Sequence, residues 1–128
     1  MKKILSIAAL LLCATPAIAH DPANWKIISW KENVAEGTCQ SILVNTNSII
    51  KARGIVSYEE HWGYSCDKKR VINEAASKEG SIRVHHCEMN EYLVGTTYRD
   101  PKLKVKPLSR WQPVPAGQFF DVHKFVCR

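Results

Sequence analysis

Beyond its first 19 residues, the sequence has no apolar run that approaches the roughly 20 residues a helix needs to cross a bilayer. Internal repeats and low-complexity segments are also missing. So are three motifs common in enzymes: Gly-x-Ser-x-Gly, His-Glu-x-x-His and a glycine-rich phosphate loop. These absences exclude a helical membrane protein and a repeat protein, and they leave catalysis without a supporting motif.

Closely spaced cysteines, which are typical of structural zinc sites, are absent as well. We therefore predict no metal site and no cofactor. One alternative stays open at the start of the processed chain. An N-terminal His20 with a second histidine nearby could bind copper through its amine and ring, whereas a solvated polar terminus is the simpler interpretation.

The first 19 residues have the pattern of a bacterial signal peptide. Two lysines follow Met1, an apolar stretch runs from Ile4 to Cys13, and Ala17-Ile18-Ala19 places small residues where a signal peptidase reads. We predict cleavage between Ala19 and His20. The alternatives are a membrane anchor, for which the apolar run is short, and lipidation of Cys13, which Leu12 disfavours because a small residue is expected there.

Cleavage would leave residues 20–128, a length that suits one compact domain. It would remove two of the 18 basic residues and none of the 12 acidic ones, so the formal net charge would fall from +6 to +4. This mild excess favours contact with anionic surfaces but does not indicate nucleic-acid binding.

Four cysteines would remain: Cys39, Cys66, Cys87 and Cys127. An even number in a small exported domain indicates disulfides. Three pairings are possible, and we expect Cys87–Cys127 and Cys39–Cys66. In this arrangement Cys127 ties down the end of the chain, and its partner Cys87 ends the best-alternating strand of the sequence.

Alternating apolar and polar residues predict a mainly β (α+β) domain. Two regions depart from this pattern. Residues 63–80 are polar and charged and predict a mobile loop with a turn of helix at Asn73–Ser77, and the last apolar stretch predicts a helix with Gly117 as N-cap. The predicted strands and turns are a bulged strand at Asn24–Trp30, a strand at Cys39–Val44, a turn at Asn45–Asn47, a β-run from Ser48 to His61 broken at Gly54, and strands at Ser81–Met89, Glu91–Tyr98 (after a tight turn at Asn90) and Lys102–Lys106.

The chain resembles the surface-adhesin protein E-like family of Gram-negative bacteria. The resemblance rests on the strand Ser81–Cys87, the following strand with Tyr92 and Gly95, the Trp-x-Pro-Val-Pro-x-Gly segment Trp111–Gly117, and the apolar stretch that closes on Cys127. It implies a curved antiparallel sheet of about six strands whose concave face holds a disulfide-tethered C-terminal helix. It also implies an exported protein and, as in the namesake, binding of host matrix glycoproteins.

Basic residues are the candidate ligand-binding groups. Lys102, Lys104 and Lys106 share one face of a predicted strand, and a second basic group lies in the predicted loop: Lys68, Lys69 and Arg70. Both groups could dock anionic glycans, acidic segments of host proteins or lipid A phosphates. The alternative is that edge lysines only prevent sheet aggregation and that the loop is simply solvated.

We therefore expect an exported envelope protein, in the periplasm, on the outer-membrane surface or secreted, which binds ligands and is not an enzyme. Adhesion to host extracellular-matrix proteins is the first hypothesis, and a structural or envelope-assembly protein of the periplasm is the second. A small secreted hydrolase is third: His85, His123 and Lys124 could serve a metal-free ribonuclease, but nothing in their spacing favours this. An exposed edge strand also makes a homodimer plausible.

Overall fold

The structure is a computed structural model that describes residues 21–78, 80–93 and 110–128. The described chain is mainly β, with one open antiparallel sheet of six strands in the order β1 to β6 and two α-helices. A 3-10 turn at Pro22–Asn24 leads into the sheet. The strands are β1 Trp25–Asn33, β2 Thr38–Ala52, β3 Ile55–Gly63, β4 Ser81–His86, β5 Glu91–Leu93 and β6 Trp111–Pro113, and the helices are α1 Lys68–Ser77 and α2 Gln118–Val126.

The sheet buries both of its faces, because successive side chains of a strand point to opposite sides. In β2, Ile42 and Val44 join the core under α2, whereas Leu43 between them joins a second core under α1. All three side chains are fully buried. The sheet therefore lies between the two helices.

Helix α2 confirms the predicted final element. Val122 and Val126 are four residues apart, lie on one helical face and pack on the sheet. Gly117 occupies the N-cap with a φ of 91°, a conformation that favours glycine. The predicted tether is also present: Cys87, just after β4, is bonded to Cys127, just after α2.

The predicted mobile loop at residues 63–80 is wrong, because α1 spans ten of them, whereas the predicted turn of helix at Asn73–Ser77 is confirmed as the end of α1. Asp67 caps this helix by accepting hydrogen bonds from the backbone N–H groups of Lys69 and Arg70. Val71 and Ala75 form a buried stripe at helical spacing against the sheet. The sequence pattern did not indicate the full helix, because this stripe is short and alanine-rich while the rest of the helix is charged.

The second predicted disulfide, Cys39–Cys66, is present too. It joins the start of β2 to the segment that leads into α1. Each helix is thus held to the sheet by its own covalent bond, on opposite faces.

Several predicted boundaries shift. The pairing of β1 changes register between Ile27 and Ser29, which confirms the bulge. The predicted turn at Asn45–Asn47 is wrong, because β2 continues through it with irregular pairing before Ile50. The turn falls instead at Arg53 and Gly54, which have φ angles of 55° and 75°.

The turn at Asn90 is confirmed, with a φ of 50°. After it β5 pairs with β6, a short strand that lies in the proline-containing segment from Trp111. The predicted strand Lys102–Lys106 and the end of the predicted strand Glu91–Tyr98 lie outside the described residues. Within the described ranges, neither helix is long and apolar enough to span a membrane.

The close approach of α1 to β3 at Gly63 gives a test of this helix. A Cβ at Gly63 would lie 2.6 Å from Ser41 Oγ and 2.8 Å from Val71 Cγ1. Gly63→Ala should therefore lower the free energy of unfolding by about 1–3 kcal/mol, as overpacked cores do, measured by urea denaturation. Asn73→Ala, on the exposed side of α1, is the control and should change it by less than about 0.5 kcal/mol. Equal stability of both variants would show that α1 does not sit on the sheet.

Candidate functional site

A buried carboxylate, Glu60, lies on the sheet face under α2, opposite Ser81 at the start of β4. Strand alternation in β3 puts Tyr58, Glu60 and Trp62 on this face, and only 3% of Glu60 is exposed. Tyr58 Oη donates to Glu60 Oε1 at 2.9 Å, and Trp62 Nε1 donates to Glu60 Oε2 at 2.7 Å. Arg83 Nε on β4 forms an ion pair with the same Oε2 at 3.0 Å. Three donors thus offset the cost of burying this carboxylate.

Two histidines extend this network from the sheet to α2. His85 Nε2 lies 2.8 Å from Tyr58 Oη. Because the single hydroxyl proton of Tyr58 goes to Glu60, the hydroxyl oxygen accepts from His85 Nε2–H. His85 Nδ1 lies 2.8 Å from His123 Nδ1 on α2, and His123 Nε2 lies 3.1 Å from Asn90 Oδ1. The two ring nitrogens that face each other are therefore held at hydrogen-bond distance.

Burial controls the charge of this network. Burial, with further contributions from His123 and Arg83, lowers the pKa of His85 to about 3. Burial also lowers the pKa of His123. Burial raises the pKa of the Tyr58 hydroxyl well above 10, and the neighbouring Glu60 adds to this shift. Both histidines are therefore neutral at pH 7 and Tyr58 keeps its proton.

The histidine pair is enclosed by rings and by a disulfide. The Tyr92 ring lies 5.9 Å from His85, and the Phe120 ring lies 5.8 Å from His123, between centroids. Cys127 Sγ, already bonded to Cys87, lies 3.8 Å from His123 Nδ1. In the described part of the chain, no group of three or more His, Cys, Asp or Glu is arranged to hold a metal ion.

The three residues of the hydrolase hypothesis are only partly brought together. His85 and His123 are in contact, but both are 3% exposed. Lys124 is 63% exposed and pairs with Asp121 at 3.7 Å. The lysine is therefore directed into an exposed ion pair rather than to the histidines.

The first predicted basic group lies in the first turn of α1. Lys68 Nζ is placed 5.0 Å from the centre of the Trp30 ring, and Arg70 Nε pairs with Glu74 Oε1 at 3.0 Å. An open groove of about 580 Å³ beside them includes two acids among its lining residues, which are Asp67, Lys69, Arg70, Asn73, Glu74 and Ser77. These acids weaken its attraction for anions. The second predicted group, Lys102, Lys104 and Lys106, lies outside the described residues, as does His20.

The structure brings together a basic surface that the sequence did not indicate. We call it the Phe125 groove, a cleft of about 420 Å³ between β1 and α2, lined by Lys26, Ile27, Ile28, Asp121, Lys124, Phe125 and Arg128. Lys26 Nζ and Arg128 Cζ lie 5.3 Å and 4.9 Å from the centre of the Phe125 ring. Sequence spacing could not reveal this surface, because its cations come from opposite ends of the described chain.

The low pKa of His85 makes stability depend on pH. The unfolded chain takes up a proton at its ordinary pKa of 6.5, whereas the folded chain does so only at about 3. The free energy of unfolding is therefore at its full value above pH 6.5. It decreases as pH falls toward 3, by up to about 1.4 kcal/mol per pH unit. Urea denaturation between pH 7 and pH 4 should show this slope.

In the His85→Gln variant the free energy of unfolding should depend less steeply on pH than in the unmodified chain. The difference should correspond to about one fewer proton taken up on unfolding. His86→Gln is the matched control, because His86 lies on the opposite face of β4, against Trp111. A pH dependence that stays unchanged in His85→Gln would contradict a buried neutral His85.

Comparisons with protein-family models, with curated proteins and with solved structures find no match to this chain. The resemblance to the surface-adhesin protein E-like family therefore stays a prediction.

Proposed function

We propose that this chain is an exported bacterial envelope protein that binds anionic macromolecules through the Phe125 groove. The ligand class is that of host extracellular-matrix glycoproteins and their anionic glycans, and the role is adhesion at the cell surface. The observation that carries the proposal is the cluster of cations around one apolar cleft. Lys26, Lys124 and Arg128 line the groove, and Asp121 is the one acid among its lining residues.

The chemistry of the groove suits a sulfated or carboxylated chain molecule. Lys26 and Lys124 are both exposed. Lys124 Nζ pairs with Asp121 at 3.7 Å, so an anionic ligand would compete with that exposed ion pair. Phe125 lies beneath two cations and offers an apolar surface to the carbon skeleton of a ligand. Lys51 Nζ donates to the backbone oxygen of Arg128 at 2.5 Å, which adds a cation near the groove.

The covalent bonds support export. Two disulfides fit an oxidising environment outside the cytoplasm. They also hold both helices on the sheet, so the groove between β1 and α2 keeps its shape without a bound partner. Preformed shape lowers the ordering cost of binding.

Neutralising the groove should weaken binding to immobilised heparin, used as a sulfated glycan probe. Lys26→Gln and Lys124→Gln should each reduce affinity about 2- to 5-fold, as expected for exposed ion pairs. Affinity of the unmodified chain should also fall as salt rises, because exposed charges are screened. Binding would be measured by surface plasmon resonance at several salt concentrations.

Lys69→Gln provides the matched control, because Lys69 is an exposed lysine in the first turn of α1. It removes the same charge and should leave affinity unchanged. Equal loss in all three variants would indicate diffuse attraction to net positive charge, and no loss in any of them would contradict the proposal.

Cell-surface display is tested separately with protease on intact cells. Cleavage of the protein on intact cells supports adhesion. Complete protection, with cleavage only after the outer membrane is opened, would instead favour the periplasmic structural role.

A further inference from the structure

We propose that the edge of β1 binds an extended polypeptide segment in which acidic and apolar residues alternate. The segment pairs with β1 as an additional strand and places its acidic side chains in the Phe125 groove. This inference rests on the proposed function, because it names the part of an anionic ligand that the groove recognises. It specifies a protein segment rather than a glycan.

β1 is an edge strand of the sheet. It comes first in the strand order and, in the part of the chain that the structure describes, it pairs only with β2. About half of the N–H and C=O groups of an edge strand point away from the sheet, where they can bond to another chain. Strand addition uses these backbone groups for affinity and the neighbouring side chains for specificity.

The Phe125 groove runs along this edge. Three consecutive residues of β1 line it, namely Lys26, Ile27 and Ile28. Lys26 faces α2, where its Nζ lies 5.3 Å from the centre of the Phe125 ring, whereas Ile27 packs on the core under α1. Because these two side chains lie on opposite faces of the strand, a cleft that touches both includes the backbone edge between them.

The α2 side of this edge is lined with cations. Ser29 pairs with Ile42 of the core under α2, so Lys31, two residues further along β1, faces the same side. The cations on this side are Lys26 and Lys31 of β1, both exposed, and Lys124 and Arg128 at the end of the chain. Acidic side chains at alternate positions of an added strand therefore face these cations.

The α1 side of the edge is apolar and aromatic. Ile27 and Trp30 pack on the core under α1 but are only half-buried. Apolar side chains of an added strand can cover the rest of their surface. Trp30 Nε1 donates to Glu32 Oε1 at 2.9 Å, so a carboxylate already lies on this side. Acidic residues are therefore disfavoured here and favoured on the other side, which requires an alternating segment.

A second copy of this chain fits the edge less well than a peptide. In an antiparallel pair of β1 strands, residues directly opposite each other share a face, so the α2 side would bring the lysines of both copies together. The register shift between Ile27 and Ser29 also interrupts the regular edge, as bulges that prevent edge-to-edge pairing do. A single peptide can follow this bulge because it has no fold of its own to keep.

The test uses the full oxidised chain, as the producing cell processes it, and a peptide with blocked ends in which valine and glutamate alternate. Its seven residues are fewer than the nine of β1. A peptide of the same composition with its glutamates grouped at one end is the matched control. The alternating peptide should bind at least about 10-fold more tightly in isothermal titration calorimetry, because only its acidic and apolar residues lie on separate faces.

Variants locate the peptide on the chain. Lys26→Gln should weaken binding of the alternating peptide about 2- to 5-fold, as expected for an exposed ion pair. Lys69→Gln, which removes the same charge from the first turn of α1, should leave this affinity unchanged.

Methylation of peptide nitrogens tests strand pairing directly. Alternate N–H groups of an added strand point toward β1, and the others point to solvent. Of two peptides, one N-methylated at its valines and one at its glutamates, one should therefore bind at least about 10-fold more weakly, and the other should stay within about 2-fold. Amide hydrogen exchange should slow at alternate residues of β1 and change less in β3, which already pairs on both sides.

The outcomes separate this inference from the proposed function. If the chain binds heparin through Lys26 and Lys124 but binds both valine–glutamate peptides equally or neither of them, strand addition is overturned and the proposed function stands. If it binds neither heparin nor peptide, both are overturned. A dimer whose β1 amides are protected before peptide is added would also overturn the inference, because a second copy would then occupy the edge.

Discussion

The buried carboxylate of Glu60 is the interaction on which the α2 side of the molecule depends. A carboxylate that is 3% exposed is costly to bury unless it is paired, and here Arg83, Tyr58 and Trp62 meet that need. By accepting the hydrogen bond from the Tyr58 hydroxyl, Glu60 also determines how Tyr58 can bond to His85. The orientation of His85 in turn leaves its Nδ1 facing α2, where His123 Nδ1 lies at hydrogen-bond distance. One carboxylate on β3 therefore sets the hydrogen bonding of residues on three elements.

The two faces of the sheet are stabilised in different ways. The core of the face under α1 joins Trp25 and Leu43 to a short alanine-rich helix, and this face also buries Glu59, which accepts from Asn45 Nδ2 at 3.4 Å. The face under α2 combines an apolar centre with the polar network of Glu60 and the histidines. The first arrangement favours stability, and the second fixes specific orientations. Candidate chemistry is accordingly concentrated on the α2 side.

Much of the fold could be predicted from the sequence, because alternation in a strand and spacing in a helix are local properties. The strand that ends near Cys87 and the helix after Gly117 follow from such patterns. The disulfides were chosen among three possible pairings, by placing Cys127 against the end of that strand. Only the end of helix α1, at Asn73–Ser77, was predicted, since the buried stripe of this helix is only Val71, Ala75 and Ala76 within a charged segment. The candidate sites were harder to predict from the sequence than the fold. The sequence predicted the face of His85 but not its contact with His123, which is 38 residues away, and the Phe125 groove joins residues near opposite ends of the described chain.

The position of Cys127 also decides how the molecule bears mechanical load. A force applied at Arg128 passes through the sulfur bridge into Cys87 and from there into β4, a strand paired on both sides. Helix α2, β5 and β6 lie inside the 40-residue covalent loop and carry none of this tension. Extending the chain would keep about 130–140 Å of contour length locked in this loop. The Cys39–Cys66 bond would lock a second loop, which holds most of β2 and all of β3. The helix and its histidine contacts are therefore shielded from pulling, and what strains first is the sheet.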